Sequence, residues 1–435
     1  MKKFIYVMLA LLLSIPALSN AGSVSSRYDV TFGGFVKYDL GYTSQNANAD
    51  MYFASRKSAD GIRYLADDYS NTFQIAGETR FNFLIKGPNL RGAKTSALVE
   101  GDFRGVSTSN AYGGFQLRHA FMTLNWESAE LMVGQNWQQW GMPYYPAEIG
   151  FNDYSTYLKG IRIPQAAFRY FFTKEFNAMV GIQSSTGWAG TGFNDVRQYN
   201  DGYARSNWPG IMGEVAYWTD RCSKIGPFNL KFAIGGFYGK EKKSYDTVTS
   251  MGAAPAETTT GTYNDDTIDA WMAAFRYSVP IIPERRGSKA MALLLNGNFF
   301  YGANWAGSQW LNAPTATAFS SAGSYWRPDE TAAAPTGWGL FSQLSFWFTD
   351  KLSIDGMYGY LKYNYSETAR INLPNNVNMN QTYAVNLLWD ANPAIRFGLQ
   401  WTRLFTGYNR ATRPGATDDR TGVSDVYRFA AWYFF

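Results

Sequence analysis

His119 is the only histidine in the chain and Cys222 the only cysteine. A Ser-His hydrolase would have to use His119 as its base. His119 has the parity of Phe121, which directs it toward lipid or a subunit interface rather than toward a reactive hydroxyl. One histidine and one cysteine cannot build the usual zinc ligand set. Cys222 is expected in a short turn, with no intrachain disulfide possible. Asp265-Asp266 and Asp418-Asp419, expected in long loops, could hold a divalent ion weakly, but they read more simply as solvated loop charges. Gly33-Gly34 and Gly235-Gly236 lack the helix context of a phosphate loop. No catalytic residue, cofactor or metal is expected.

The charges that remain are spaced in twos. Across Thr72–Lys86, one parity reads Phe73, Ile75, Gly77, Thr79, Phe81, Phe83, Ile85, and the other reads Gln74, Ala76, Glu78, Arg80, Asn82, Leu84, Lys86. Glu100 and Asp102 oppose Val99 and Phe103, while Arg118 opposes Phe115, Leu117 and Phe121. Arg169 opposes Phe168 and Tyr170, and Arg396 opposes Phe397 and Leu399. In the final run, Arg428 opposes Tyr427, Phe429, Tyr433 and Phe435. A charge on a lipid face costs about 2–4 kcal/mol at midplane, so these strands have one oily face and one wet face. Arg80, Arg104, Arg118, Arg169, Arg396, Arg428, Glu78, Glu100 and Asp102 are the expected lumen residues. Arg403 breaks its pattern, so a bulge or a loop-proximal position is expected there.

Sixteen such runs can be counted, Thr72–Lys86, Phe115–Trp126, Pro209–Trp218, Phe228–Lys240, Thr267–Val279, Lys289–Trp305 and Val423–Phe435 among them. Their connections alternate between long and short. That pattern predicts an all-β, antiparallel transmembrane barrel with both termini on the short-turn side. Aromatic residues make up 17% of the chain, yet mean hydropathy is only −0.28, because every second strand residue faces water. No stretch after the first 21 residues approaches the length of a transmembrane helix. The net charge of +5 is too small to argue for nucleic acid. Lys2 and Lys3, the apolar Phe4–Leu13 and the small-x-small Ser19-Asn20-Ala21 predict a signal peptide over 1–21, leaving 22–435 as the barrel.

A sixteen-strand barrel is too wide to fill with its own side chains. The third long connection, Gln138–Pro164, could narrow it. The connection carries Trp140, Tyr144, Tyr145, Phe151 and Tyr154, an odd load for open water. It could instead pack on a neighbouring subunit. Glu148, Asp153 and Arg162 are its candidate constriction charges, with the acids facing the arginines across the gap.

Three motifs follow one another along this region. Arg118-His119-Ala120, then Gly134-Gln135-Asn136-Trp137, then Arg162-Ile163-Pro164-Gln165 with Arg169-Tyr170, resemble the succession found in DcaP-type trimeric porins, within the Gram-negative outer-membrane porin superfamily. The resemblance implies a homotrimeric, water-filled outer-membrane channel for passive diffusion of small polar, often anionic, solutes. It also implies surrounding lipid and lipopolysaccharide, and the barrel-assembly machinery, whose terminal aromatic signal Phe435 resembles. A plugged barrel acting as a surface adhesin is the other reading of the same strands.

Overall fold

The computed structural model describes residues 28–45, 54, 70–105, 113–147, 149–150, 162–183, 208–246, 263–304, 325–326, 332–367, 377–409 and 421–435. Sixteen strands form the wall, each antiparallel to its neighbours. They are β1 (Asp29–Thr43), β2 (Asn71–Ile75 continued by Arg80–Lys86), β3 (Lys94–Gly105), β4 (Gly114–Asn125), β5 (Ala129–Trp137), β6 (Arg162–Phe171), β7 (Phe176–Gln183) and β8 (Gly210–Ile225). There follow β9 (Phe228–Asp246), β10 (Tyr263–Ile282), β11 (Leu293–Ala303), β12 (Thr336–Trp347), β13 (Leu352–Asn364), β14 (Val377–Asn392), β15 (Ile395–Tyr408) and β16 (Thr421–Phe434). β1 closes the barrel on β16, from Phe35 opposite Phe434 to Thr43 opposite Val426. Among the described residues, no strand of the wall is left with an unpaired edge, as a spanning sheet requires.

The alternation of side chains is as expected over most of the wall. Val36, Tyr38, Leu40 and Tyr42 stand exposed on β1, while Lys37, Asp39 and Thr43 are buried on the lumen side. Ile234, Leu399, Tyr427 and Tyr433 extend the outward apolar band. No helix of the described residues is long and apolar enough to cross a membrane; strands do the crossing.

Two inserted residues overturn part of the parity reading. β2 is not continuous. Asp39 pairs with Ile75 and Phe35 with Arg80, so three residues of β1 face four of β2, Ala76 to Thr79. The extra residue inverts the strand's faces. Phe73 and Ile75 therefore point into the lumen: the Phe73 ring lies 4.9 Å from the Arg428 guanidinium. Gln74 turns outward and accepts a hydrogen bond from the Tyr38 hydroxyl at 2.9 Å. The second insertion is Arg118. Glu100 pairs with His119 but Gly101 with Leu117, leaving Arg118 without an opposite residue. Beyond it Phe121 faces inward against the buried cluster that includes Met132, and Met122 faces out. His119 is buried beside Trp137 and pairs with the lumen residue Glu100, so it lies on neither a lipid face nor a subunit interface.

Strand limits also move. β8 runs on to Ile225, leaving only Gly226 and Pro227 as its turn, and β9 and β10 extend past Lys240 and Thr267 to Asp246 and Tyr263. Cys222 is exposed near the end of β8, not in a turn. β11 is shorter than expected, because residues 283–292 form a turn. Arg403 sits five residues from the end of β15 with no register shift against β16; it pairs with Asp425 across the outer face at 2.9 Å. A loop-proximal ion pair accounts for it.

Candidate functional site

The third long connection enters the barrel. It leaves β5 after Trp137, and Trp140 is the first pin. The Trp140 ring is fully buried, stacks on Phe237 with an interplanar angle of 4°, and donates its Nε1–H to Gln183 at 3.2 Å. Gly235 makes room for it: a Cβ there would lie 3.1 Å from Trp140 Cβ.

From that pin the backbone follows the inner wall strand by strand. The Gly141 amide donates to Glu214 of β8 at 3.4 Å, and the Gly141 carbonyl accepts from Asn298 of β11 at 2.9 Å. Arg276 of β10 donates to the Gln139 and Met142 carbonyls, both at 3.3 Å. Gln343 of β12 donates to the Tyr145 carbonyl at 3.1 Å and accepts from the Ala147 amide at 2.8 Å. Asn386 of β14 donates to the Ala147 carbonyl at 2.6 Å. The Ile149 amide donates to Gln400 of β15 at 2.8 Å, and Lys37 of β1 donates to the Ile149 carbonyl at 2.8 Å. Buried backbone groups need partners, and here lumen side chains supply them. The result is a strap laid along the wall from β8 round to β1. Wall packing accommodates Trp140, Tyr144 and Tyr145; Phe151 and Tyr154 lie outside the described residues.

Charges flank the strap in two groups. The first spans β16 to β6. Arg428 pairs with Asp39 at 3.1 Å, Asp39 with Lys37 at 3.0 Å, Lys37 with Glu78, and Glu78 with Arg104 at 2.7 Å. Glu100 lies 3.5 Å from Arg80 and 2.8 Å from Arg118, whose other nitrogen reaches Asp102 at 2.6 Å. Arg162 opens β6 with its guanidinium 5.5 Å from the Trp137 ring centre. The group holds six cations against four carboxylates among the described residues.

The second group lies under the strap's start. Glu214 holds Arg276 at 2.5 Å and lies 3.6 Å from Arg169, which donates to Asn177 at 2.5 Å. Lys231 stands over the Tyr144, Tyr145 and Trp218 rings, 5.0 to 5.7 Å from their centres. Arg276 lies 4.3 Å from the Tyr144 ring centre. Burial pushes the Tyr144 phenol up to about 12, so that it stays neutral and offers the cation a ring face.

Of the residues expected in the lumen, Arg80, Arg104, Arg118, Glu78, Glu100 and Asp102 are brought together, and Arg428 joins them through Asp39. Arg169 stands apart with Glu214. Arg396 is also apart: it pairs with Asp390 at 2.5 Å beside the turn between β14 and β15. Glu148 and Asp153 lie outside the described residues, as do Asp418 and Asp419. Lys37, Asp39, Glu214, Lys231 and Arg276 were not anticipated. The alternation rule reaches them: Lys37 opposes Val36 and Tyr38, and Arg276 opposes Phe275 and Tyr277.

No protein-family profile matches the sequence, and no curated protein sequence matches it. Among solved structures, the outer membrane channel DcaP of Acinetobacter baumannii superposes with a TM-score of 0.64 at 15% identity, covering 94% of this chain and 97% of that one. OmpT of Vibrio cholerae, in its outer-membrane-expressed form, superposes at 0.50 with 11% identity, over 94% of this chain and 99% of that one. At such identities the likeness is one of fold. It agrees with the resemblance in the early strand motifs, and the aromatic outer band fits lipid. By fold the chain is a closed sixteen-strand antiparallel transmembrane β-barrel, similar to these outer-membrane proteins.

Proposed function

We propose that the protein is a porin: a water-filled channel for passive diffusion of small polar solutes, with a preference for anions. The strap carries this reading. Its described residues follow the inner wall from β8 round to β1, bonded to wall side chains, and a barrel this wide encloses water. The anion preference rests on the two charge groups. Among the described residues, six cations accompany four carboxylates in one, and three accompany Glu214 in the other. Both have a positive excess in a confined, poorly screened space. Arginine keeps its charge at working pH and can grip a carboxylate with two donors.

Planar-bilayer recording tests it. Stable unit currents with a reversal potential on the anion side of zero in a salt gradient are expected. A barrel that carries no current would be a plugged structural barrel instead.

The chain is proposed to work as a homotrimer surrounded by lipid and lipopolysaccharide, and to be exported on the 1–21 leader. The trimer rests on the early strand motifs and barrel size, the leader on Lys2, Lys3, the apolar Phe4–Leu13 and Ser19-Asn20-Ala21. Phe435 is proposed as the signal read by the assembly machinery. No enzymatic role is proposed. His119 is buried, and the carboxylate nearest it, Glu100, is already held by Arg118.

A further inference from the structure

The strap has a second pin, Ile149. Both its backbone groups are held by side chains of different strands, the amide by Gln400 and the carbonyl by Lys37. Its side chain is 1% exposed and packs with Ala430, Trp432, Phe35 and Leu388. The hole exists because residue 398 is glycine: a Cβ there would come within 2.6 Å of Ile149 Cδ1.

Lys37 is an unusual anchor. It is fully buried, it sits between Asp39 and Glu78, and its ammonium lies 5.2 Å from the Trp432 ring centre. An ammonium has three hydrogens. Among the described residues, Glu78 and the strap carbonyl accept hydrogen bonds from it, and Asp39 Oδ2 stands 3.0 Å away as an ion-pair partner. The two acids fix the lysine, and the third direction is left for the strap. Glu78 reaches this position from the four-residue interruption of β2, and Arg104 steadies it. Bulges commonly re-aim a side chain; this one aims an acid at the lysine that holds the strap.

We propose that Lys37 and Gly398 form a latch that keeps the strap's far end against the wall and so keeps the channel steadily open. The latch rests on the channel reading above. Trp140 and the Asn298, Gln343 and Asn386 bonds would still hold the strap as far as Ala147 if the latch were released, so the part at Ile149 would leave the wall for the lumen. Lys37 is thus a positioning residue for the constriction, and the inserted residue of β2 is part of its support.

Two variants of unlike chemistry test this in planar bilayers. Lys37→Met with Glu78→Gln removes the cation and one acid together. Gly398→Ala changes no charge and displaces the Ile149 side chain. Both are expected to give rapid partial closures and a lower mean current than the wild type, with the folded barrel still heat-modifiable on gels. If the lysine variant fails to assemble, Gly398→Ala carries the test alone. Steady currents of wild-type size in an assembled variant would overturn the latch, and so would larger steady currents. Wild-type protein without current would end the channel reading itself, a result separable from failure of the variants.

Discussion

Arg118 bridges Glu100 and Asp102, and it can do so because it is the inserted residue of its strand. An inserted residue is free of the ladder's strict alternation. Its guanidinium serves two acids at once, which a lysine's point charge could not do with the same geometry. Replacing Arg118 and Arg169 together by Ala would leave Asp102 and Glu214 with one cation fewer each. The reversal potential should then move toward cations, and block by small carboxylates should weaken. Unchanged selectivity in an assembled double variant would remove the arginines from the selectivity mechanism. At this scale the sequence was half legible. Charges opposite aromatics marked the lumen, and the same rule extends to Lys37, Glu214 and Arg276. The partner of each arginine was not legible, because pairing depends on register, and a single inserted residue shifts register without any mark in composition.

Among the elements, β2 and the strap depend on each other. Glu78 lies in the interruption of β2, and without the extra residue the strand's first half would present Phe73 and Ile75 to lipid and Gln74 to the lumen. That arrangement suits the apolar and polar residues better as a plain alternation, so strand parity alone favours it. The native one is held by the Lys37–Glu78 pair, and removing one partner of a buried ion pair typically costs about 3–5 kcal/mol. Deleting Thr79 should therefore lower the yield of heat-modifiable barrel sharply, whereas Gln74→Leu should be tolerated; equal yields would make the interruption incidental. Trp140→Ala removes a buried ring of the kind whose loss costs about 3–5 kcal/mol. The temperature at which the barrel unfolds on gels should fall, and no change would mean that the pin at Trp140 adds little to stability. The strap's aromatic content was legible as a segment seeking burial. Its path was not, since its bonds run to lumen side chains on strands that follow it in the chain.

For the whole molecule, sixteen alternating runs and alternating connection lengths sufficed to state the architecture. Strand ends were harder, because β9 and β10 continue as a hairpin where the apolar alternation has faded. The assembled protein should migrate with the outer membrane, and its mass in mild detergent should be that of three chains; a dominant single chain would reject the trimer and leave the pore intact. Deleting Phe435 should reduce assembled yield, since its amide and carbonyl close the last pair with Gly34, each at 3.1 Å, and its ring meets Phe32. The seam also governs timing. The partner of β1 is the last of the described strands, so a growing chain carries two bare edges until β16 exists. Distance along the chain is a minor obstacle, because each doubling of a loop adds only about 0.6 kcal/mol to closing it. Exposure time is the greater hazard. Any chain cut short before β16 cannot become a smaller barrel; it remains an adhesive sheet, and the cell must shield it or destroy it.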